Sequence, residues 1–188
     1  MKQKVALALS VVLAVLGGVA ALAQADLSAA YGETQAGEAG GDGLAAASVL
    51  HITGASFVPE SSATVFLADG NGAVAVTGSS GRYMHAPVLL PDGAQVSGLT
   101  FYYYDNQNSD TMTARLIRNN DPGIGFRTVL AEASSPVGVA GYSSAYGSVG
   151  PTPIVIDNAR YNYEIEVSWT VGSSNLKLTS IKVFYTTP

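Results

Sequence analysis

Residues 160–171 alternate between apolar and polar side chains without a break, and this pattern limits the fold more than any other feature of the chain. Successive side chains of a β-strand point to opposite faces of the sheet. The stretch therefore predicts an antiparallel strand with one face in a core and one face in water. The predicted core face carries Tyr161, Tyr163, Ile165, Val167, Trp169 and Val171, and the predicted solvent face carries Asn162, Glu164, Glu166, Ser168 and Thr170.

Turn sequences divide the rest of residues 49–188 into short strands. The turns are DGNG at residues 69–72, PDG at 91–93, DPG at 121–123 and GSSN at 172–175. In the last strand the apolar alternation changes parity at Thr179–Ser180, which predicts a β-bulge. About ten such strands without any helical periodicity predict an all-β domain, an antiparallel β-sandwich that is jelly-roll-like.

Residues 1–25 have the pattern of a cleaved signal peptide. Lys2 and Lys4 precede an apolar run at residues 5–16, and residues 23–25 read AQA, a signal peptidase site. The apolar run is shorter than the ~20 residues that span a bilayer. We therefore expect an exported protein that is extracellular, on the cell surface or in the periplasm.

Residues 26–48 are rich in Gly, Ala and acidic side chains and contain no Lys or Arg. So little apolar surface cannot offset the entropy lost on ordering, so we expect a flexible segment ahead of the β-sandwich domain at residues 49–188. This segment could still order against a partner subunit.

Charge and cysteine content exclude several functions. Loss of Lys2 and Lys4 with the signal leaves seven Lys and Arg against fourteen Asp and Glu, a net charge of −7. With no basic cluster, neither nucleic acid nor, after signal cleavage, a membrane is an expected partner. The absence of Cys removes thiol catalysis and Cys-ligated metals.

No catalytic constellation is readable, and we expect no enzyme. His51 and His85 stand alone, and the nearest approach to a nucleophile elbow, GSSG at residues 78–81, does not fit G-x-S-x-G. Glu164 and Glu166 lie on one strand face about 7 Å apart. Glycosidase carboxylates usually come from different strands, so a solvated polar face is the favoured interpretation of this pair.

Residues 105–110 form the most polar cluster of the domain. The oxygen-rich side chains of Asp105, Asn106, Asn108 and Asp110 are of the type that binds Ca²⁺, although the Gly and Glu of an EF-hand are missing. Asn and Asp are also common in turns, so a plain turn is the alternative. Calcium is the only cofactor that the sequence suggests.

Residues 101–104 read FYYY. If Leu99, Phe101 and Tyr103 face the core, Tyr102 and Tyr104 form an aromatic pair on the outer face. Such a pair suits stacking on a sugar ring or a subunit interface, and cross-strand packing is the third interpretation. Tyr83 and Tyr142 are further candidates for ligand or interface contacts.

Three segments resemble a recurring pattern of uncharacterised exported bacterial β-sandwich proteins. They read APVLLPDGA at residues 86–94, VSGLTFYYYDN at 96–106 and IDNARYNY at 156–163. The resemblance implies a compact β-sandwich, similar in outline to the jelly-roll heads of C1q-like proteins and phage tail fibres. It brings no catalytic or binding residues with it.

The first functional hypothesis is a secreted structural or interaction protein, a β head that associates with copies of itself or with another surface protein. The alternative is a carbohydrate-binding module that holds a glycan on the exposed tyrosines. A hydrolase that uses His51 or His85 ranks last, because no set of catalytic roles can be assembled.

Overall fold

The structure, a computed structural model, describes residues 47–120 and 126–188. Within these ranges it contains twelve β-strands and one turn of 3₁₀ helix, Gly54–Ser56. The strands are β1 (Ala47–Thr53), β2 (Val58–Pro59), β3 (Phe66–Ala68), β4 (Val74–Val76), β5 (Tyr83–Pro87), β6 (Gln95–Asp105), β7 (Met112–Asn120), β8 (Arg127–Ser134), β9 (Gly141–Ser148), β10 (Ile154–Val155), β11 (Tyr161–Trp169) and β12 (Leu176–Thr186).

The strands form two antiparallel sheets. Sheet A has the order β10-β6-β12-β4-β3, with β1 also paired to β12 and β9 also paired to β6. Sheet B has the order β2-β5-β11-β7-β8. The chain passes between the sheets from β4 to β5, β5 to β6, β6 to β7, β8 to β9 and β11 to β12, which gives the interleaved strand order of a jelly roll. The predicted all-β, jelly-roll sandwich is confirmed.

The core lies between the sheets and is built from alternate residues of the long strands. On β11, Tyr163, Ile165, Val167 and Trp169 are buried as predicted, while Tyr161 and Val171 pack against the core edge. The Trp169 indole N–H donates to the Leu176 carbonyl over 3.2 Å, so its burial leaves no polar group unpaired. Full burial of a large apolar side chain contributes about 1.5–3 kcal/mol, and this term dominates the stability of a chain without disulfides.

The predicted bulge is present in β12. Pairing of β12 with β6 shifts register between Leu178 and Ser180. The extra residue keeps Leu178 and Ile181 on the same side of the sheet, and both are fully buried. The bulge thus preserves the core face of the strand along its full length.

The predicted turns within the described ranges connect strands. Gly72 and Gly93 adopt left-handed φ values of 78° and 79°, which favour glycine, at the ends of the 69–72 and 91–93 turns. Residues 172–175 join β11 to β12. The predicted 121–123 turn lies outside the described residues.

The predicted signal peptide, and nearly all of the predicted flexible segment, also lie outside the described residues. Strand β1 begins at Ala47, two residues before the expected start of the domain at residue 49. In the part of the chain that the structure describes, no helix is long and apolar enough to cross a membrane.

Candidate functional site

Sheet A presents tyrosines on its outer face. Because Leu99, Phe101 and Tyr103 of β6 are buried, Thr100, Tyr102 and Tyr104 point outward, as predicted. On the neighbouring strand β9 the direct partners of these three residues are Tyr146, Ser144 and Tyr142. We call this surface the tyrosine face, which comprises Thr100, Tyr102, Tyr104, Tyr142, Ser144 and Tyr146.

The ring partner of Tyr104 is Tyr142. Their centroids lie 5.0 Å apart with the planes tilted by 57°. The sequence analysis paired Tyr104 with Tyr102, and the structure corrects this partner. Tyr102 stands two residues away along the same strand, whereas Tyr142 lies directly opposite Tyr104 across the ladder. Tyr142 is 77% exposed, so this aromatic pair is open to solvent.

Two lysines of β12 lie over the tyrosine rings. The Lys177 ammonium is 5.9 Å from the Tyr104 ring centroid, and the Lys182 ammonium is 5.2 Å from the Tyr102 centroid. Lys177 is the cross-strand partner of Tyr104, and Lys182 is the partner of Thr100. Both are cation–π contacts, which are weak at an exposed surface and leave the ammonium free to take another partner.

One end of the tyrosine face opens into a cleft of about 620 Å³. The cleft lies between the β3–β4 hairpin, the end of β6 and the β11–β12 loop, and we call it the Tyr104 cleft. Its volume is within the ~300–1,000 Å³ of small-molecule sites. The cleft is lined by Leu67, Ala68, Asp69, Ala73, Ala75, Tyr104, Tyr142, Ser174, Asn175 and Lys177.

The charged groups of the Tyr104 cleft are held in place by the hairpin. Asp69 Oδ1 accepts hydrogen bonds from the backbone N–H groups of Asn71 and Ala73, each over 3.1 Å, and Asp69 Oδ2 pairs with the Lys177 ammonium over 3.3 Å. The hydrogen bond from Ala73 is the main cause that lowers the pKa of Asp69, and the contributions of Asn71 and Lys177 add to it against the opposing effect of desolvation. The cleft therefore presents a fixed carboxylate and a fixed ammonium beside two aromatic rings.

Tyr146 extends the tyrosine face toward the other end of sheet A. A Cβ atom on Gly98 would lie 2.5 Å from Tyr146 Oη and 2.5 Å from the Gly147 carbonyl oxygen, so only glycine leaves room for this ring. The Tyr146 hydroxyl donates to the Ser97 carbonyl over 3.4 Å, and its ring lies 6.3 Å from that of Phe184. The sequence analysis missed Tyr146. The available signal was Gly98, a glycine inside a strand, which often marks a close approach.

Tyr83 does not join the other candidate tyrosines. It lies on β5 of sheet B, opposite Ser168, and is 42% exposed. The predicted set is thus divided: Tyr102, Tyr104 and Tyr142 share one face, and Tyr83 is on the other sheet. Alternation predicts which residues point outward but does not tell which sheet they belong to.

The 105–110 loop places its predicted ligands in different environments. Asp105 is fully buried; its Oδ1 accepts the Gln107 N–H over 2.8 Å, and Oδ2 has no hydrogen-bond partner among the described residues. Asp110 is half-buried and accepts hydrogen bonds from the hydroxyls of Ser109 and Thr170.

Asn106 and Asn108 of the same loop are exposed. The Asn106 N–H donates to the Asn175 carbonyl over 2.9 Å, which ties the loop to the rim of the Tyr104 cleft. The described residues contain no group of three or more His, Cys, Asp or Glu side chains that could hold a metal ion. Calcium in this loop would therefore need amide or main-chain oxygens besides the two carboxylates, and it stays a prediction.

The outer face of sheet B carries an ion-pair network in place of the expected solvated surface. Glu166 is only 5% exposed and accepts hydrogen bonds from Arg127 over 2.7 Å and Arg115 over 3.4 Å. Glu164 bonds to Arg127 and Asn119 over 3.1 and 3.0 Å. The expected solvated face is wrong for Glu166, because arginines from β7 and β8 cover it. Burial opposes the charged form of both arginines, yet their carboxylate partners outweigh it and raise the pKa of each guanidinium.

The two histidines lie on different sheets. His51 on β1 faces Lys182 across the ladder, and partial burial, followed by the charge of Lys182, lowers its pKa below 6.5. His85 on β5 is opposite Glu166, and its Nδ1 is 3.5 Å from Glu164 Oε2. Both are strand residues, as expected.

The chain matches no protein-family model and no curated protein. Among solved structures it is similar to the C-terminal family 6 carbohydrate-binding module of the laminarinase LamC from Zobellia galactanivorans (14% identity, TM-score 0.47, covering 72% of this chain and 98% of that one). Murine APRIL is similar at 17% identity and TM-score 0.39, with coverage of 76% and 100%.

A third similar structure is a family two carbohydrate esterase from Cellvibrio japonicus, at 9% identity and TM-score 0.44. The alignment covers 76% of this chain but spans only 36% of the esterase. At such identities and TM-scores, the three similarities do not indicate a shared activity.

Proposed function

We propose that this chain is a carbohydrate-binding domain that holds a glycan in the Tyr104 cleft and along the tyrosine face. The observation that carries the proposal is the exposed Tyr104–Tyr142 ring pair beside the fixed Asp69–Lys177 ion pair. A sugar offers an apolar ring face and a rim of hydroxyls, and this cleft supplies aromatic surface and oriented polar groups for both.

The polar groups of the cleft match sugar hydroxyls in number and type. Asp69 accepts hydrogen bonds, Lys177 donates them, and Asn175 can do both. The Asp69 carboxylate is anchored by two backbone N–H groups, so it loses little freedom when a ligand binds. Export, which the sequence predicts from residues 1–25, would place the domain where extracellular glycans occur.

The test is affinity electrophoresis of the full domain against a panel of soluble polysaccharides, followed by calorimetric titration with the best ligand. We expect Tyr142→Ala to weaken binding roughly tenfold, as loss of an aromatic anchor at a binding site does. The matched control is Tyr83→Ala, an exposed tyrosine on sheet B, which should bind like the parent. Equal loss in both variants, or no binding by the parent to any glycan, would refute the proposal.

A second candidate function is self-association, and the apolar edge of sheet A favours it. Val65, Phe66 and Leu67 are 58%, 42% and 56% exposed, and β3 pairs on one side only, with β4. An exposed apolar edge strand is a template for pairing with a second copy. Light scattering on the mature domain would give an oligomer, which Tyr102→Ala or Tyr104→Ala weakens if the tyrosine face is part of the interface. A monodisperse monomer at high concentration would exclude this candidate.

A further inference from the structure

The positive side chains of sheet A are concentrated on the tyrosine face. The described residues contain two lysines, Lys177 and Lys182, and both project from β12 beside a tyrosine ring. In a chain with a net charge of −5, this is an unusual placement. It indicates that positive charge at this surface has a use.

Negative side chains lie elsewhere in the described residues. The ladder positions that face outward from β1, β6, β9 and β12 include no Asp or Glu. Glu132, Glu164 and Glu166 belong to the network on sheet B. The carboxylate nearest to the tyrosine face is Asp69, in the β3–β4 turn, and it is paired with Lys177.

Lys182 has no carboxylate partner in the described part of the chain. Its recorded contact is with the Tyr102 ring, and its cross-strand neighbours are Thr100 on β6 and His51 on β1. Neither neighbour cancels the charge, and the same charge contributes to the lowered pKa of His51. The Lys182 ammonium is therefore an uncompensated cation on a surface of neutral hydroxyls and aromatic rings.

We infer that the ligand of the tyrosine face is an acidic glycan, with a sugar carboxylate bound to Lys182 and the sugar rings on Tyr102 and Tyr104. The inference rests on the proposed carbohydrate function and names its substrate class. Lys177 is already neutralised by Asp69, so the two lysines create unlike subsites: hydroxyl recognition in the Tyr104 cleft and carboxylate recognition at Lys182. The carboxylate would draw the ammonium off the Tyr102 ring, exchanging a weak cation–π contact for a charge-assisted hydrogen bond.

The geometry along β6 fits an extended polymer. Tyr104 and Tyr102 are two residues apart on one strand face, about 6.6 Å at ~3.3 Å per residue. Each ring has its own lysine, and the Tyr104 cleft opens at one end of the row. A linear polysaccharide laid along the strand therefore meets ring and cation repeatedly.

The test compares each of three polyuronates, polygalacturonate, alginate and hyaluronate, with its own carboxyl-reduced neutral polymer. Binding is measured by calorimetry in low salt and in high salt. We expect the parent domain to prefer at least one polyuronate over its neutral form by roughly fivefold, and to lose the preference in high salt. Lys182→Met should abolish the preference, and Lys182→Arg should retain it.

Arg160→Met serves as the charge-matched control, because Arg160 is an exposed turn residue away from sheet A. It should keep the preference. Equal affinity for the acidic and neutral polymers would overturn the carboxylate assignment while the carbohydrate function stands. Binding to none of these polymers and to no glycan of the wider panel would overturn both. Thermal unfolding of every variant confirms that a loss of binding is not a loss of fold.

Discussion

Tyr104 and Tyr142 face each other across the β6–β9 ladder, with ring centroids 5.0 Å apart, and together they form one wall of a cleft. The relationship depends on register. A slip of one residue in β9 would turn Tyr142 toward the other face of the sheet and place Ser143 beside Tyr104. The tyrosine face is thus a product of strand pairing as much as of composition.

Gly98 fixes that register by letting β9 approach closely. Gly98→Ala should destabilise the domain by about 1–3 kcal/mol, because the added Cβ meets the Gly147 carbonyl as well as Tyr146. Urea unfolding of the variant and the parent measures the difference. The control is Gly70→Ala, where a Cβ meets nothing within 4 Å, and it should leave the midpoint nearly unchanged. A Gly98→Ala variant as stable as the parent would contradict the packing described.

Sequence alternation was sufficient to predict the faces of β6 and β11 and the bulge in β12, because each depends on neighbours along one strand. The partner of Tyr104, and the sheet to which Tyr83 belongs, depend on pairing between strands distant in sequence, which no local pattern contains. Glu166 shows the same limit. Its outward direction was predicted, but its burial follows from Arg115 and Arg127, which stand on two other strands.

The sheet B network should respond unequally to removal of its carboxylates. Glu166→Ala leaves two arginines without their shared buried partner, and we expect a loss of about 3 kcal/mol in unfolding free energy. Glu132→Ala should cost less than about 1 kcal/mol, since the exposed fraction of the Glu132 side chain is 49% against 6% for Glu166. Chemical denaturation of the two variants checks the order. A larger loss at Glu132 would contradict the burial-based account.

Asp69 should make the domain sensitive to strong acid. Its folded-state pKa is lowered from 3.8, so the ionised carboxylate stabilises the fold above pH 3.8, and this contribution is lost as the pH falls through the lowered pKa. The difference in thermal midpoint between the parent and Asp69→Asn should be constant near neutral pH and should shrink in acid. A difference that grows on acidification would have the wrong sign for this mechanism.

Calcium binding by the 105–110 loop is testable through Asp105. Its Oδ2 is buried without a hydrogen-bond partner in the described residues, so a bound cation would stabilise the folded state. We expect Ca²⁺ to raise the thermal midpoint of the parent, and EDTA to reverse the rise. Asp105→Asn should remove the response to calcium. If the parent is indifferent to both calcium and EDTA, the loop is a turn and not a metal site.

The central claim is that sheet A carries the glycan site. It is tested most directly by mapping backbone amide shifts of the isotope-labelled domain in solution NMR while an oligosaccharide selected from the panel is added. The account predicts saturable shifts concentrated at Tyr102, Tyr104, Tyr142, Asn175 and Lys177, with sheet B unchanged. Shifts that centre on Tyr83 and the Glu164–Glu166 strand instead would contradict it.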